Sequence, residues 1–156
     1  MRAWLVIFFI SFNLLASTCE HTDSQFSCVK YLGNYDGDTI TFKIPNIHSY
    51  FGSKAKVRLF GIDTPELHPK AVALPCEVEW GRVAKKLVQS ELNSAKRIDI
   101  KAMGPDKYGR ILGEIFYDGK NLGQVLLKNH LAIPYNGGKK NKINWCDLKA
   151  LREKNK

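Results

Sequence analysis

A chain of 156 residues with 24 Lys and Arg against 15 Asp and Glu carries a formal net charge of +9. This length suffices for one domain with a hydrophobic core of its own, and it is too short for two domains of ordinary size. A basic excess of this size on a small domain indicates a polyanionic partner, through electrostatic steering and counterion release. Solubility alone is the competing explanation, because several of the basic residues are spread over a solvated C-terminal end.

The first 18 residues have the layout of a secretory signal peptide. One positive charge, Arg2, precedes an uncharged apolar run over residues 3–16, and small residues follow up to Thr18. A membrane span needs about 20 predominantly apolar residues, so an uncleaved N-terminal anchor is the less favoured alternative. We predict a signal peptide over residues 1–18 and a mature domain over residues 19–156. We expect this domain to be secreted or periplasmic, without stable membrane insertion.

Alternation of apolar and polar residues predicts three strands in the N-terminal half of the mature chain. They cover residues 26–35, 39–44 and 56–62, and three such meandering strands begin a small curved sheet or barrel. Residues 77–92 then place apolar side chains three or four positions apart. This spacing predicts an amphipathic helix of about four turns.

The C-terminal half predicts two more strands and two more helices. The strands cover residues 97–101 and 111–117, a short helix covers residues 121–129, and a last helix begins at about residue 144. Five strands with a helix between the third and the fourth is the order of an oligonucleotide-binding (OB) barrel. We therefore expect an α+β fold, a five-stranded OB-fold barrel with three helices.

Four cysteines remain after the predicted cleavage, namely Cys19, Cys28, Cys76 and Cys146. Their wide spacing lacks a zinc-type pair, and export would place them where disulfides persist. Four cysteines allow three pairings, and the sequence does not choose among them. A bond between Cys76 and Cys146 is favoured, because each lies just before a predicted helix.

The stretch YDGDT, residues 35–39, places two carboxylates around one glycine where the first two predicted strands meet. A turn alone would explain it, since Asp-Gly is preferred in two-residue hairpin loops whose backbone needs positive φ. The chain contains a control, because Asp118 and Gly119 follow a predicted strand in the same way without a second acid. The other motifs therefore decide whether YDGDT is only a turn or also a site.

Arg58 and the segment that follows it form the second motif. Alternation puts Arg58, Phe60 and Ile62 on one face of a largely apolar strand, and a guanidinium there is costly unless an anion meets it. The strand opens into DTPE, residues 63–66, which as structure alone is a strand end with turn residues. The third motif is the cation-rich turn DKYGR, residues 106–110, which on its own would be a solvated loop.

In this order, DGDT, RLFGIDTPE and DKYGR resemble the motifs of the staphylococcal nuclease (thermonuclease) family. The resemblance covers residues 26–145, which is nearly the whole mature domain. It implies the five-stranded OB barrel with three helices. It also implies calcium-dependent cleavage of the phosphodiester bonds of DNA and RNA, and we expect a monomer.

The resemblance carries the functional residues of the family to nine positions of this chain. The calcium ligands are the carboxylates of Asp38 and Asp63 and the backbone carbonyl of Thr64. Glu66 takes the place of the glutamate that orients or deprotonates the attacking water. The phosphate-binding arginines are Arg58 and Arg110. The nucleotide pocket is lined by Lys107, Tyr108 and Tyr135, the last in a segment that is shorter and richer in glycine than the family pattern.

These residue types suit phosphodiester hydrolysis, because calcium prefers hard oxygen ligands and the rigid fork of arginine meets phosphate oxygens. A metal-free mechanism with a pair of histidines is a weaker alternative, since the four histidines share no motif. A non-catalytic OB-fold module that binds nucleic acid without cutting it is the alternative from another class of protein. Such a module would lack members of the acid and arginine set, and here none is missing.

Overall fold

The computed structural model describes residues 19–68, 74–138, 140 and 143–154. The predicted signal peptide lies outside these residues. Within them, no helix combines the length and the apolar character that crossing a membrane requires. The strands are β1 (Gln25–Phe26), β2 (Lys30–Asn34), β3 (Thr39–Lys43), β4 (Ala55–Leu59), β5 (Ile62–Asp63), β6 (Ile98–Pro105), β7 (Ile111–Tyr117), β8 (Lys120–Asn121) and β9 (Ile133–Pro134). The helices are α1 (Ser49–Gly52), α2 (Pro75–Ser94), α3 (Leu122–Lys128) and α4 (Trp145–Lys154).

The main sheet follows the strand order β1-β6-β7-β4-β3-β2, with β8 added beside β7. The pair of β4 and β7 is parallel, and the other pairs are antiparallel. β5 and β9 form a separate antiparallel pair. The predicted α+β class is confirmed, and the sheet with its helices is consistent with an OB fold. The strand pairs of the described residues do not close the sheet into a barrel, because β1 and β2 stand at its two edges.

Two of the five predicted strands are each divided in the structure. The first is split into β1 and β2 at Cys28, which has a left-handed φ of 53° and is bonded to Cys19. The third is split into β4 and β5 at Gly61, whose φ of +76° favours glycine. The second division turns the chain so that β5 can pair with β9 instead of continuing along β4.

The three predicted helices are present as α2, α3 and α4, and the sequence pattern missed the short helix α1. The side chain of His48 caps α1 by accepting a hydrogen bond from the backbone N–H of Tyr50. Gly52 is buried at its end, where a Cβ would lie 2.6 Å from the carbonyl oxygen of Ile44. A four-residue helix has too few positions to show a helical period, so the sequence gives no periodic signal for it.

One apolar core lies between the inner face of the sheet and the helices α2 and α3. Full burial of each large apolar side chain contributes roughly 1.5–3 kcal/mol relative to exposure. This packing holds β3 and β4 side by side, and so fixes the residues that precede and follow them. Members of the core are Ile40, Phe42, Val57, Leu59, Trp80, Ala84, Val88, Leu92, Ile100, Ile115, Leu122 and Leu126.

Two disulfides join the four cysteines. Cys76 is bonded to Cys146, which is the pairing that the sequence favoured, and Cys19 is bonded to Cys28. The first of these bonds spans 70 residues and ties the first turn of α2 to the first turn of α4. It therefore anchors the far end of the glycine-rich segment that follows β9.

Candidate active site

The YDGDT loop joins β2 to β3 in a conformation that differs from the control turn. Asp118 and Gly119 have φ values of 46° and 80°, as a tight hairpin turn requires. Gly37 is not among the residues with positive φ, so the expectation of a positive φ at that glycine is wrong. A Cβ on Gly37 would lie 2.9 Å from Cγ2 of Thr64 and 3.0 Å from Cβ of Ala84. Glycine is needed here for close packing against the DTPE segment and α2.

The two aspartates of the loop have different partners. Asp36 Oδ1 accepts hydrogen bonds from the backbone N–H groups of Asp38 (3.0 Å) and Thr39 (2.7 Å), so it shapes the loop. Asp38 Oδ2 instead accepts from the N–H (2.9 Å) and the hydroxyl (2.8 Å) of Thr64. Burial raises the pKa of Asp38 to about 7, although the neighbouring Arg58 opposes this shift. Asp38 is thus a buried carboxylate held toward the DTPE segment.

Arg58 connects the two acids that the resemblance assigns to calcium. Its Nη1 lies 3.0 Å from Asp38 Oδ2, and its Nη2 lies 3.0 Å from Asp63 Oδ1. The side chain of Arg58 is 12% exposed, and those of Asp38 and Asp63 are 7% and 8% exposed. The anions that the sequence required for a guanidinium on this strand are therefore these two carboxylates. Charge-assisted hydrogen bonds in such a buried setting fix all three side chains.

Helix α2 packs against the DTPE segment and supports it. A Cβ on Gly81 of α2 would lie 2.8 Å from the carbonyl oxygen of Pro65, so the helix backbone approaches this segment closely. The N–H of Glu66 donates to Oε1 of the buried Glu77 at 3.4 Å. Sequence reasoning missed these supporting residues, because nothing in the pattern of α2 shows which face of the helix meets the site.

Lys140 is the principal residue of the pocket that sequence reasoning missed. Its Nζ lies 2.6 Å from Glu66 Oε1 and 3.0 Å from Asp63 Oδ1. It follows Gly137 and Gly138, which have φ values of 87° and 83°. The doubled glycine was a signal of an unusual loop, but its long separation from the DTPE motif hid the contact.

The DKYGR turn brings a second arginine to the pocket from the start of β7. Asp106 accepts from the N–H of Arg110 (2.9 Å) and from its Nε (2.6 Å), which holds the guanidinium in place. Nη1 of Arg110 then donates to Thr39 Oγ1 at 3.2 Å. The ring of Tyr108 is exposed, with the cations of Lys107 and Arg110 at 5.0 Å and 5.4 Å from its centre. This turn presents one oriented guanidinium and one accessible aromatic face.

Tyr135 lines the same pocket and lies just after β9. Its N–H donates to the carbonyl of Gly61 at 2.9 Å, and its hydroxyl donates to the carbonyl of Gly138 at 2.7 Å. The structure thus brings all nine predicted site residues to the lining of one pocket of about 730 Å³. Phe60, which is 44% exposed, and Lys140 line it as well.

The oxygen atoms of this pocket fit a hard cation such as calcium, which prefers carboxylate and carbonyl ligands. Side-chain cations stand at these oxygens: Arg58 lies between Asp38 and Asp63, and Lys140 lies between Asp63 and Glu66. Within residues 19–68, 74–138, 140 and 143–154, no group of three or more His, Cys, Asp or Glu is arranged to hold a metal. The chemistry of the donors suits such an ion, but in this structure the carboxylates are paired with two internal cations, Arg58 and Lys140.

An α+β fold with paired acids, two arginines and the exposed ring of Tyr108 around one pocket has the features of a phosphoester-binding protein. Comparison with known proteins is more specific, since the family described as "Staphylococcal nuclease homologue" matches residues 56–156. The chain belongs to this family, as its motifs indicated. The YDGDT loop precedes the matched range.

Three relatives show how far the similarity extends. Endonuclease YncB of Bacillus subtilis (strain 168) is 37% identical over 100 residues, which is 62% of this chain and 43% of that protein. The SPbeta prophage-derived endonuclease YokF of the same strain is also 37% identical over 100 residues, 62% of this chain and 30% of that protein. The uncharacterized protein MJ1439 of Methanocaldococcus jannaschii is 32% identical over 120 residues, 64% of this chain and 55% of that protein. The matched region thus covers 30–55% of the length of these relatives.

Proposed function

We propose that this protein is a calcium-dependent nuclease that hydrolyses phosphodiester bonds of DNA and RNA. The observation that carries the proposal is the convergence of two buried acids, a third acid and two arginines on one pocket. The names of the two Bacillus subtilis relatives support an endonuclease activity. The net charge of the chain favours a polyanionic substrate.

The acids would hold the ion and prepare the water. Asp38, Asp63 and the carbonyl of Thr64 would ligate calcium, which when bound supplies positive charge to a phosphate oxygen. Glu66 is the nearby acid with the more exposed side chain, at 36%, and it would accept the proton of the attacking water. For this role its contact with Lys140 must open, because the ammonium of Lys140 occupies Oε1 of Glu66.

The arginines would neutralise the charge that develops on the phosphate. Arg110 is oriented by Asp106 and Thr39, and its guanidinium retains donors for phosphate oxygens. Arg58, whose Nη1 and Nη2 contact Asp38 and Asp63, would donate to the phosphate beside these acids. Contacts of this kind are typically worth ~10²–10³ in rate each. Lys107, Tyr108 and Tyr135 would contact the nucleotide, with the exposed ring of Tyr108 available for stacking on a base.

A cleavage assay with controlled calcium tests this proposal. The purified mature chain is incubated with single-stranded DNA, duplex DNA and RNA, in calcium and in a chelator. We expect cleavage in calcium and none in the chelator. Undiminished cleavage in the chelator would remove the metal mechanism, and binding without cleavage in calcium would favour the non-catalytic module.

We propose further that the protein acts outside the cytoplasm, in the periplasm or the medium, as a monomer. The two disulfides support an oxidising compartment, where such bonds persist. Intact mass of the exported protein tests this directly, and we expect a mass that lacks residues 1–18. A mass that retains the apolar run would contradict the predicted cleavage.

A further inference from the structure

The outer face of β2, β3 and β4 carries a row of positive charge that starts at the pocket. Arg58 on β4 is paired with Thr39 on β3, and Thr39 accepts from Arg110. Two residues further from the pocket, on the same face, Lys56 is paired with Thr41. Positions on this face recur every two residues, or about 7 Å along the strands.

The next row contains only lysines. Lys43 on β3 is paired with Lys30 on β2. Lys54 immediately precedes β4, and because it lies two residues before Lys56 it belongs to the same face. We call Lys30, Lys43, Lys54 and Lys56 the outer-face lysines, and all four are exposed. Like charges directly opposite each other on neighbouring strands destabilise a sheet. The pairing of Lys30 with Lys43 therefore needs a reason.

Nothing in the described part of the chain neutralises these four residues. β2, β3 and β4 contain no Asp or Glu, and no ion pair of the described residues involves an outer-face lysine. Other lysines do pair with acids, among them Lys120, Lys140 and Lys149. The charge of the outer face is therefore left for a partner.

Exposed aromatic rings stand at the far end of the same strands. α1 lies in the connection from β3 to β4, and so beside Lys43 and Lys54. Tyr50 and Phe51 on α1 are 83% and 70% exposed, with ring centres 5.2 Å apart. Cationic grooves with aromatic rings are the way proteins bind single-stranded nucleic acid, with bases stacked on the rings.

We propose that the outer-face lysines bind phosphates of a single-stranded segment of the substrate, beyond the bond that is cut. The segment runs from the pocket past Arg58 toward α1, where Tyr50 and Phe51 stack with its bases. This inference rests on the proposed nuclease function, because it extends the same nucleic-acid site. Its consequence is that long single strands bind more tightly than short ones.

We call the outer-face lysines together with Tyr50 and Phe51 the track. Fluorescence anisotropy with labelled oligodeoxynucleotides, in a chelator so that no cleavage occurs, tests whether the track binds the strand. The variant is Lys30→Gln, Lys43→Gln and Lys56→Gln combined, and the control combines Lys86→Gln, Lys101→Gln and Lys128→Gln. The control lysines are also exposed and lie outside β2, β3 and β4, and both variants lose the same charge. Urea unfolding confirms that both are folded.

We expect the variant that lacks Lys30, Lys43 and Lys56 to bind a long oligonucleotide at least about tenfold more weakly. The magnitude of its slope of log K against log salt should decrease by about 2. The control should change much less, and binding of a dinucleotide should change in neither. Equal losses in both variants would show a general charge effect and overturn the track. So would a first variant that keeps its affinity for the long oligonucleotide but loses binding to vesicles of anionic lipid, which would assign the lysines to a membrane surface.

These outcomes are separable from those of the cleavage assay. A protein that never cleaves but binds long strands through the outer-face lysines would contradict the nuclease proposal and keep the track. A protein that cleaves in calcium but shows no dependence on these lysines would keep the nuclease and lose the track.

Discussion

Lys140 contacts two acids of the pocket, Asp63 and Glu66. Substitution of Lys140 tests whether its ammonium competes with a bound cation for the site. Burial lowers the pKa of Lys140, but hydrogen bonds to Glu66 and Asp63 outweigh it, and the pKa stands above its ordinary value. The ammonium therefore stays charged at neutral pH. Because calcium would need an oxygen of Asp63, we expect the ammonium to compete with the ion for that acid.

The size of the competition follows from the exposure of the contact. The side chain of Lys140 is 47% exposed, so solvent screens both ion pairs. At ~0.5 kcal/mol for each screened pair, the two contribute about 1 kcal/mol. Loss of a competitor of that size tightens binding about fivefold, since each 1.4 kcal/mol is a factor of ten. Lys140→Met should thus bind calcium about fivefold more tightly, while the calcium-free protein should unfold slightly more easily.

Isothermal titration with calcium measures the expected gain in calcium affinity. Urea unfolding without calcium measures the expected loss of stability. Lys149→Met is the matched control, because Lys149 also forms a short ion pair, 2.7 Å to Glu79, which joins α4 to α2 outside the pocket lining. We expect that variant to keep the calcium affinity of the parent. Weaker or unchanged calcium binding in Lys140→Met would refute the competition and make Lys140 a support of the site.

Two further substitutions separate the roles proposed for Arg110 and Glu66. For Arg110→Lys we expect turnover to fall by about 10² with a small loss of substrate binding, because the charge survives but the fork held by Asp106 does not. Steady-state kinetics measure both, and retained turnover with weaker binding would make Arg110 a holding residue. For Glu66→Gln we expect ~10²-fold slower cleavage with calcium binding and stability preserved, as for loss of a general base. Cleavage at the parent rate would remove Glu66 from the water-activating role.

The sequence predicted the helices and strands that are long enough to show a periodic pattern of apolar residues. β7 has the predicted bounds, Ile111–Tyr117, and α2 extends the predicted helix by two residues at each end. Seven of the nine predicted site residues meet because their motifs flank neighbouring strands: YDGDT leads into β3, DTPE comes after β4, and DKYGR precedes β7. These strands are adjacent in the sheet, and their register places the end of β4 beside the start of β3 and the start of β7, so the three motifs share one pocket.

What the sequence did not predict depends on packing between distant segments. The role of Gly37 is set by Thr64 and Ala84, which are far from it in the chain. Asp118 was assigned a turn alone, yet it also accepts from the N–H groups of Lys96 and Arg97, and so joins the β7 turn to the start of β6. Neither contact leaves a local pattern.

The central claim is that YDGDT is a cation-dependent catalytic site and not only a turn. The most direct measurement is calcium titration of nuclease activity for Asp38→Asn and Asp118→Asn, normalised to the folded fraction by urea unfolding. Both changes keep an oxygen acceptor and remove one charge. Because only Asp38 faces the pocket, we expect Asp38→Asn to lose at least about 10² in calcium-dependent rate. Asp118→Asn should keep the parent rate. Equal losses in the two variants, or normal cleavage by Asp38→Asn, would contradict the account.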